Sequence, residues 1–113
     1  FGAYNGNIIL KAKDLGYRSG RAYEIGTNGG GTLPYDVKIQ SLQQGVSAAQ
    51  VQGWVADAQA NNRWVVLVGH RIAASGDDVY YVTESQFSDM VQAVANSGVQ
   101  VITYDQGLDV FAL

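Results

Sequence analysis

The residue best suited to chemistry in this sequence is His70, the single histidine of the chain. It follows an apolar run over residues 64–68, and Gly69 between them allows the backbone to turn sharply. Such a run is typical of a strand that is covered on both faces. An imidazole exchanges protons near neutral pH, so a histidine at the end of a buried strand suits general acid or base chemistry. A hydrogen-bonded structural histidine is the other interpretation.

Several other chemistries have little support in the sequence. The chain has no cysteine, which removes disulfides, thiolate metal sites and cysteine nucleophiles. A transition-metal site would need His70 together with several carboxylates, and no such cluster is apparent, so we expect no metal site in this chain. The glycine-rich residues 26–32 lack the Gly-Lys-Ser/Thr ending of a P-loop, and they are predicted to form a plain flexible loop rather than a phosphate cradle.

Composition indicates one small domain over residues 1–113, with no internal boundary. The chain is 47% hydrophobic and 15% charged, which provides material for a core. The formal charge of -3 and the acidic pI argue against a nucleic-acid partner. No stretch approaches the roughly 20 apolar residues that span a bilayer, so no membrane partner is expected. The sequence starts at Phe1 and enters a helical pattern at once, which suggests a piece of a longer product.

The pattern along the chain predicts helices alternating with strands. Capping boxes at Ser47 with Gln50 and at Thr83 with Gln86 predict helices to about Asn61 and up to Gly98. A first helix is expected to end at Gly16, and a short helical turn is expected over 105–111. The predicted strands cover residues 17–22, 37–42, 64–68 and 99–103. The predicted core faces of the two capped helices carry Val51, Trp54, Val55 and Ala58 on one helix, and Phe87, Met90, Val91 and Val94 on the other.

This alternation predicts an α/β fold with parallel strands joined by crossovers. In such folds, functional groups collect in the loops beyond the carboxyl ends of the strands. The loops after Ala22, after Leu42 and at His70 meet that description. A flavodoxin-like single domain also fits the element order.

Six segments in order carry a resemblance to a known family. They are Phe-Gly-Ala-Tyr-Asn at 1–5, Leu-Gly-Tyr-Arg-Ser-Gly-Arg at 15–21, Leu-Pro-Tyr-Asp-Val-Lys-Ile-Gln at 33–40, Val-Leu-Val-Gly-His at 66–70, Tyr-Val-Thr-Glu-Ser-Gln-Phe at 81–87 and Gly-Val-Gln-Val-Ile-Thr-Tyr at 98–104. Together they resemble the C-terminal half of a NodB-like polysaccharide deacetylase, of carbohydrate esterase family four. The resemblance implies about half of a distorted TIM-like (β/α) barrel.

The resemblance also implies an activity for the parent protein. Members of the family hydrolyse N-acetyl groups on amino sugars with a divalent metal, zinc or cobalt, held by one aspartate and two histidines, and with a second aspartate as base. All four positions fall before Phe1, so the chain is expected to hold no cofactor and to be inactive alone. The implied partner is an acetylated polysaccharide or oligosaccharide, and the implied location of the parent is extracellular or at the cell wall.

Site residues follow from the resemblance position by position. His70 occupies the position of the family's general-acid histidine, which protonates the departing amine. Phe1 and Gly2 occupy positions that line the substrate groove in the family. Val68 occupies the place of a leucine that lines the acetyl-methyl pocket. The aspartate and tryptophan that hold the family's histidine have no clean counterpart in residues 34–42, where Asp36 is the nearest carboxylate.

A hypothesis from another class is a non-catalytic half barrel that binds carbohydrate or assists assembly. Its exposed sheet edges would pair with a second copy or with a complementary half barrel, so a homodimer is expected under either hypothesis. Arg18 and Arg21 are candidates either to bind an acid group of the substrate or to pair with Asp14 or Glu24, and we favour the structural role. Five tyrosines are candidates to stack on sugar rings or to cover the edge of the core: Tyr4, Tyr23, Tyr35, Tyr80 and Tyr81.

Overall fold

A computed structural model describes residues 4–113 and shows a mixed fold of helices and parallel strands, in agreement with the α/β prediction. Phe1 and Gly2, the expected groove residues, lie outside the described residues. The elements are α1 (Gly6–Asp14), β1 (Arg21–Ile25), β2 (Val37–Leu42), α2 (Ala48–Ala60), β3 (Leu67–Gly69), α3 (Glu84–Asn96) and α4 (Tyr104–Val110). The described strands form one sheet in the order β1-β2-β3, and β1 runs parallel to β2.

The predicted starts of α2 and α3 are confirmed. At each of them, a capping box satisfies free N–H groups of the first turn. The Ser47 hydroxyl accepts a hydrogen bond from the Gln50 N–H at 3.2 Å, and the Gln50 side chain accepts one from the Ser47 N–H at 3.0 Å. Thr83 and Gln86 form the same pair at the start of α3. A third capping box, with Thr103 as its N-cap residue, begins α4.

The first predicted strand, residues 17–22, is wrong in its position. Tyr17 lies just beyond the turn that ends α1, and its N–H donates to the Ala12 carbonyl of that helix at 3.0 Å. The strand β1 begins only at Arg21, which pairs with Val37 of β2. Tyr17, which was predicted to begin a strand, therefore helps to cap the C-terminal end of α1.

Two other predicted strands are shortened or absent. In place of a strand over 64–68, β3 covers Leu67–Gly69, because Trp64 pairs instead with Asn28 in an isolated antiparallel bridge. The N–H of each of these two residues donates to the carbonyl of the other at 2.8 Å. Residues 99–103 are not a strand in the structure, and Val101 is 79% exposed. Their apolar composition did not lead to strand pairing.

The chain divides into two compact units. Among the described residues, the first unit comprises residues 4–40, 64–66 and 102–113, and its core is built on Val37, Trp64 and Leu108. The second unit comprises residues 41–63 and 67–101, in which α2 packs against α3. Its core contains Leu42, Val51, Val82 and Met90, with Val46, Trp54, Leu67 and Val94 packed against them.

The buried face of α3 is narrower than its sequence predicts. Met90 is buried and Val94 packs against the core, as expected. Phe87 and Val91, however, are 36% and 50% exposed. On α2 the prediction is confirmed for Val51, Val55 and Ala58, which are buried, and Trp54 is half-buried. Among the described residues, no helix is long and apolar enough to cross a bilayer.

Candidate functional site

His70 lies directly after the carboxyl end of β3 and is exposed to solvent. The preceding residues 65–68 are half-buried, so the strand that leads to the imidazole is less covered than the sequence predicts. Val68, the expected lining residue of an acetyl pocket, is one of these half-buried residues within β3. The structure therefore agrees with the prediction that a strand ends just before His70, but that strand is not buried on both faces.

A closed loop over residues 71–81 returns the chain to His70. The loop closes where Ile72 and Val82 form a parallel bridge: the Ala73 N–H donates to the Val82 carbonyl at 2.9 Å. The loop places the Tyr80 ring beside the imidazole, with 5.0 Å between the two ring centroids and 57° between the ring planes. The two rings are tilted relative to each other at a centroid separation within the range of favourable aromatic contacts.

Asp78 connects both arms of this loop. Its Oδ1 accepts a hydrogen bond from Arg71 Nη2 at 3.0 Å and another from the Tyr80 N–H at 2.8 Å. The Arg71 guanidinium also lies over the Tyr81 ring, 5.7 Å from its centroid. These contacts fix the backbone of Tyr80 relative to Arg71, the residue next to His70.

Gln44 holds the same loop from the segment between β2 and α2. Its N–H donates to the Val79 carbonyl at 2.9 Å, and its side-chain amide donates to the Tyr81 carbonyl at 3.3 Å. The amide also donates to the Gln86 side chain of the α3 capping box at 2.8 Å. Gln44 therefore connects the loop that carries Tyr80 to the capping box at the start of α3.

The site contains the exposed imidazole of His70, the exposed phenol of Tyr80 and the ion pair between Arg71 and Asp78. Within residues 4–113, no carboxylate forms an ion pair with His70. The same residues contain no group of three histidine, aspartate or glutamate side chains that would hold a metal ion. The described residues therefore do not fit a divalent metal, and the arrangement suits hydrogen bonding, proton transfer and stacking.

Asp36, the carboxylate nearest in sequence to the family's tethering position, belongs to the first unit. Its Oδ1 accepts a hydrogen bond from the Tyr4 hydroxyl at 2.6 Å. This hydrogen bond stabilises the neutral phenol and is the main reason that the pKa of Tyr4 is raised to about 12. Asp36 thus holds the phenol of Tyr4.

The structure separates the candidate tyrosines by their surroundings. Tyr35 donates to the Tyr17 carbonyl and has the Lys13 ammonium 5.2 Å above its ring. Tyr81 is half-buried under Arg71. Tyr23 and Tyr80 are 57% and 50% exposed. Of these exposed rings, Tyr80 is the one that contacts His70.

Arg18 and Arg21 make contacts within the protein, but the partners that the structure shows for them differ from the expected Asp14 and Glu24. Arg18 binds Asp105 and Asp109 at the α4 end of the unit, each at 2.6 Å. The hydrogen bond to Asp109, followed by that to Asp105, raises the pKa of the Arg18 guanidinium. Arg21 donates to the Ala22 carbonyl at 3.2 Å.

Sequence reasoning missed Asp78 as the residue that organises the site. A signal was present, because an aspartate side chain commonly accepts a hydrogen bond from the N–H two residues later, here that of Tyr80. The pairing of the Tyr80 ring with His70 had no local signal, since ten residues separate them.

Comparison with known proteins adds no relative: no family model matches the chain, and no curated protein or solved structure shows significant similarity to it.

Proposed function

We propose that this chain is part of a metal-dependent polysaccharide deacetylase that hydrolyses N-acetyl groups on amino sugars, with His70 as its general acid. The observation that carries the proposal is the exposed imidazole at the carboxyl end of β3, beside an exposed tyrosine ring. The order of the family-like segments supports it too. In this proposal the strands belong to about half of a distorted (β/α) barrel, and Phe1, Gly2 and Val68 line the substrate groove.

The proposed role of His70 is one proton transfer. After water has added to the acetamide carbon, the C–N bond breaks and its electron pair stays on the amine nitrogen. The imidazolium donates its proton to that nitrogen, so acetate and a free amino sugar leave. Residues 4–113 contain no group of side chains that would hold the divalent metal.

The test is acetate release from an acetylated chito-oligosaccharide with zinc or cobalt present. The protein used is the product of the complete natural reading frame that contains this chain. We expect release by the wild-type protein and a loss of about a hundredfold or more in kcat for His70→Ala, since general acids contribute factors of this size. Full activity in His70→Ala, or no release by the wild-type protein, would contradict the proposal.

A leaving-group comparison separates an acid from a structural histidine. An acetanilide with a nitro substituent releases an amine that needs little protonation. We expect His70→Ala to lose much less activity on this substrate than on the oligosaccharide, because the missing proton matters less. An equal loss on both substrates would indicate that His70 acts only by holding the structure.

The second candidate function is a non-catalytic carbohydrate-binding or assembly module that dimerises. It is favoured by β1, a strand at the edge of the described sheet on which Tyr23 and Ile25 are 57% and 63% exposed. The first unit also carries equal numbers of opposite charges, so two copies meeting there would not repel each other. These charges are Lys11, Lys13, Arg18, Arg21 and Lys38 against Asp14, Glu24, Asp36, Asp105 and Asp109.

Light scattering after size exclusion tests the dimer. We expect a dimer that Ile25→Lys weakens, while Val101→Lys leaves it unchanged as a matched control on an exposed valine of the second unit. A wild-type monomer at high concentration would exclude this assembly. Carbohydrate binding without acetate release by the complete reading-frame product would favour the module over the enzyme.

A further inference from the structure

The Tyr80 ring is available to a ligand, unlike the ring next to it in sequence. Tyr80 is 50% exposed, whereas Tyr81 is half-buried with the Arg71 guanidinium over its ring. A pyranose sugar presents C–H groups on one flat face, and this face matches the flat apolar surface of an aromatic side chain. A tyrosine also keeps a hydroxyl for hydrogen bonds at its rim. The exposed ring of Tyr80 therefore has the chemistry of a sugar-stacking surface.

Tyr80 is also held in position before any ligand arrives. Its N–H is bound by the Asp78 carboxylate, which the Arg71 guanidinium orients, and the preceding carbonyl of Val79 is bound by Gln44. A ring whose backbone is already fixed loses less conformational entropy when it binds. Since Tyr80 contacts His70, a sugar on the exposed part of its ring would lie next to the imidazole.

The charges of the second unit restrict the class of sugar. Its cations are Arg63 and Arg71, and Arg71 is neutralised by Asp78. Its acidic residues are Asp57, Asp77, Asp78, Glu84 and Asp89, which leave the unit with the entire formal charge of -3. Asp77 lies exposed in the loop itself. This field repels uronic acids and accepts neutral or cationic sugars.

We propose that Tyr80 is a stacking surface for a neutral or cationic amino-sugar ring beside His70, and that Asp78 is the residue that positions it. The identity of the ring as an amino sugar rests on the proposed function. The stacking surface itself rests on the exposure of Tyr80, its contact with His70 and the hydrogen bonds of its loop.

Proton NMR on the 113-residue chain tests this directly, because a chain with one histidine gives a single set of imidazole signals. The probe is triacetylchitotriose, titrated to millimolar concentration. We expect a saturable shift of the His70 signals in the wild-type chain and in Tyr80→Phe. We expect Tyr80→Ala to weaken binding by about tenfold or more, because the stacking area is gone. Tyr23→Ala removes a similarly exposed ring of the first unit and is expected to leave trisaccharide binding unchanged.

A second pair of variants tests the positioning role. We expect Asp78→Asn to weaken trisaccharide binding by about threefold, because the ring of Tyr80 is held less firmly without the carboxylate. This factor corresponds to the contribution of a typical exposed ion pair. Asp77→Asn is the matched control and is expected to leave binding of this neutral ligand unchanged. For the charge argument, a galacturonic acid trimer is expected to bind more weakly than the amino-sugar trimer at low salt.

Each contrary outcome overturns one component of the proposal. No saturable shift in the wild-type chain, or equal binding by Tyr80→Ala, overturns the stacking surface. Equal binding by Asp78→Asn overturns its positioning role, and equal affinity for galacturonate overturns the ligand class. The proposed function is judged separately by the effect of His70→Ala on acetate release. Tyr80-dependent binding with no effect of His70 on catalysis would refute the acid role and leave the stacking surface standing.

Discussion

Replacing Gly107 by alanine tests the packing of the first unit, because the structure reverses the effect that such a change normally has. Gly107 lies inside α4 and is buried. Alanine in place of glycine within a helix usually stabilises by about 1 kcal/mol. A Cβ atom at Gly107, however, would lie 2.4 Å from Cζ2 and 2.5 Å from Cε2 of Trp64. Carbon atoms in contact prefer about 3.5 to 4.0 Å, so the indole would have to move by about 1 Å.

The surroundings of Trp64 resist that movement. The indole lies 5.1 Å from the Tyr104 ring centroid and 6.3 Å from that of Phe111, to which it is nearly parallel. Its backbone is hydrogen-bonded to Asn28 in both directions. Overpacking a core costs about 1 to 3 kcal/mol and sometimes more. Because a shift of about 1 Å in a confined indole is a severe overlap, we take the upper end of this cost, about 3 kcal/mol. After the gain of about 1 kcal/mol in helix propensity is subtracted, we expect Gly107→Ala to lower the free energy of unfolding by about 2 kcal/mol.

Gly53→Ala provides the matched control. Gly53 is inside α2 and exposed, and a Cβ there would meet no atom within 4 Å. We expect this variant to raise the free energy of unfolding by about 0.5 to 1 kcal/mol, so the two substitutions should differ by about 3 kcal/mol. Urea denaturation followed by circular dichroism and tryptophan fluorescence measures both. If Gly107→Ala is as stable as Gly53→Ala, then Trp64 does not pack on α4 as described and the reasoning fails.

Three further predictions concern polar groups of the first unit. Asn28→Ala should lower the free energy of unfolding by about 3 kcal/mol, because the fully buried Asn28 side chain makes two hydrogen bonds to Lys38. It accepts one from the Lys38 N–H at 2.8 Å and donates one to the Lys38 carbonyl at 2.9 Å. A loss below about 1 kcal/mol in urea denaturation would contradict this prediction. NMR of ¹³C-labelled tyrosine should show Tyr4 ionising near pH 12 and, in Asp36→Asn, nearer pH 10; an unmoved Tyr4 would contradict this. Because the folded pKa is the higher one, the stability that Tyr4 contributes is complete below about pH 10 and is lost as pH rises through 12. Tyr104→Phe should keep or raise stability by about 1 kcal/mol in the same urea assay, because the buried Tyr104 hydroxyl has Ser19 as a neighbour but makes no hydrogen bond of normal geometry within residues 4–113; a clear loss would show that the contact with Ser19 stabilises the fold.

Elements whose signals are local were predictable from the sequence. The capping boxes at Ser47 and Thr83 place the starts of α2 and α3 correctly, because the bonding atoms are three residues apart. The strand over Val37–Leu42 was also predicted within its observed bounds. The amphipathic pattern of α2 identified its buried residues, since burial on one side of a helix repeats with the helical period.

The strands that were misplaced depend on partners distant in sequence. Trp64 looks like part of a continuous strand, but its backbone pairs with Asn28, 36 residues earlier. The apolar residues 99–103 have the composition of a strand and remain unpaired by strand hydrogen bonds in the structure. Strand composition describes how a residue fits a sheet surface, and the partner decides whether the sheet forms there.

For the candidate site, the sequence by itself determined that one imidazole follows an apolar strand, because His70 is the only histidine and the run before it is unmistakable. The resemblance added the hypothesis of a general acid. Only the tertiary structure decided what lies beside that imidazole. The bridge between Ile72 and Val82 closes the loop, and Asp78 and Gln44 set the position of Tyr80 within it. The bridge and the Gln44 hydrogen bonds join residues ten or more positions apart, so no local pattern shows them, whereas the bond from the Tyr80 N–H to Asp78 does have a local signal.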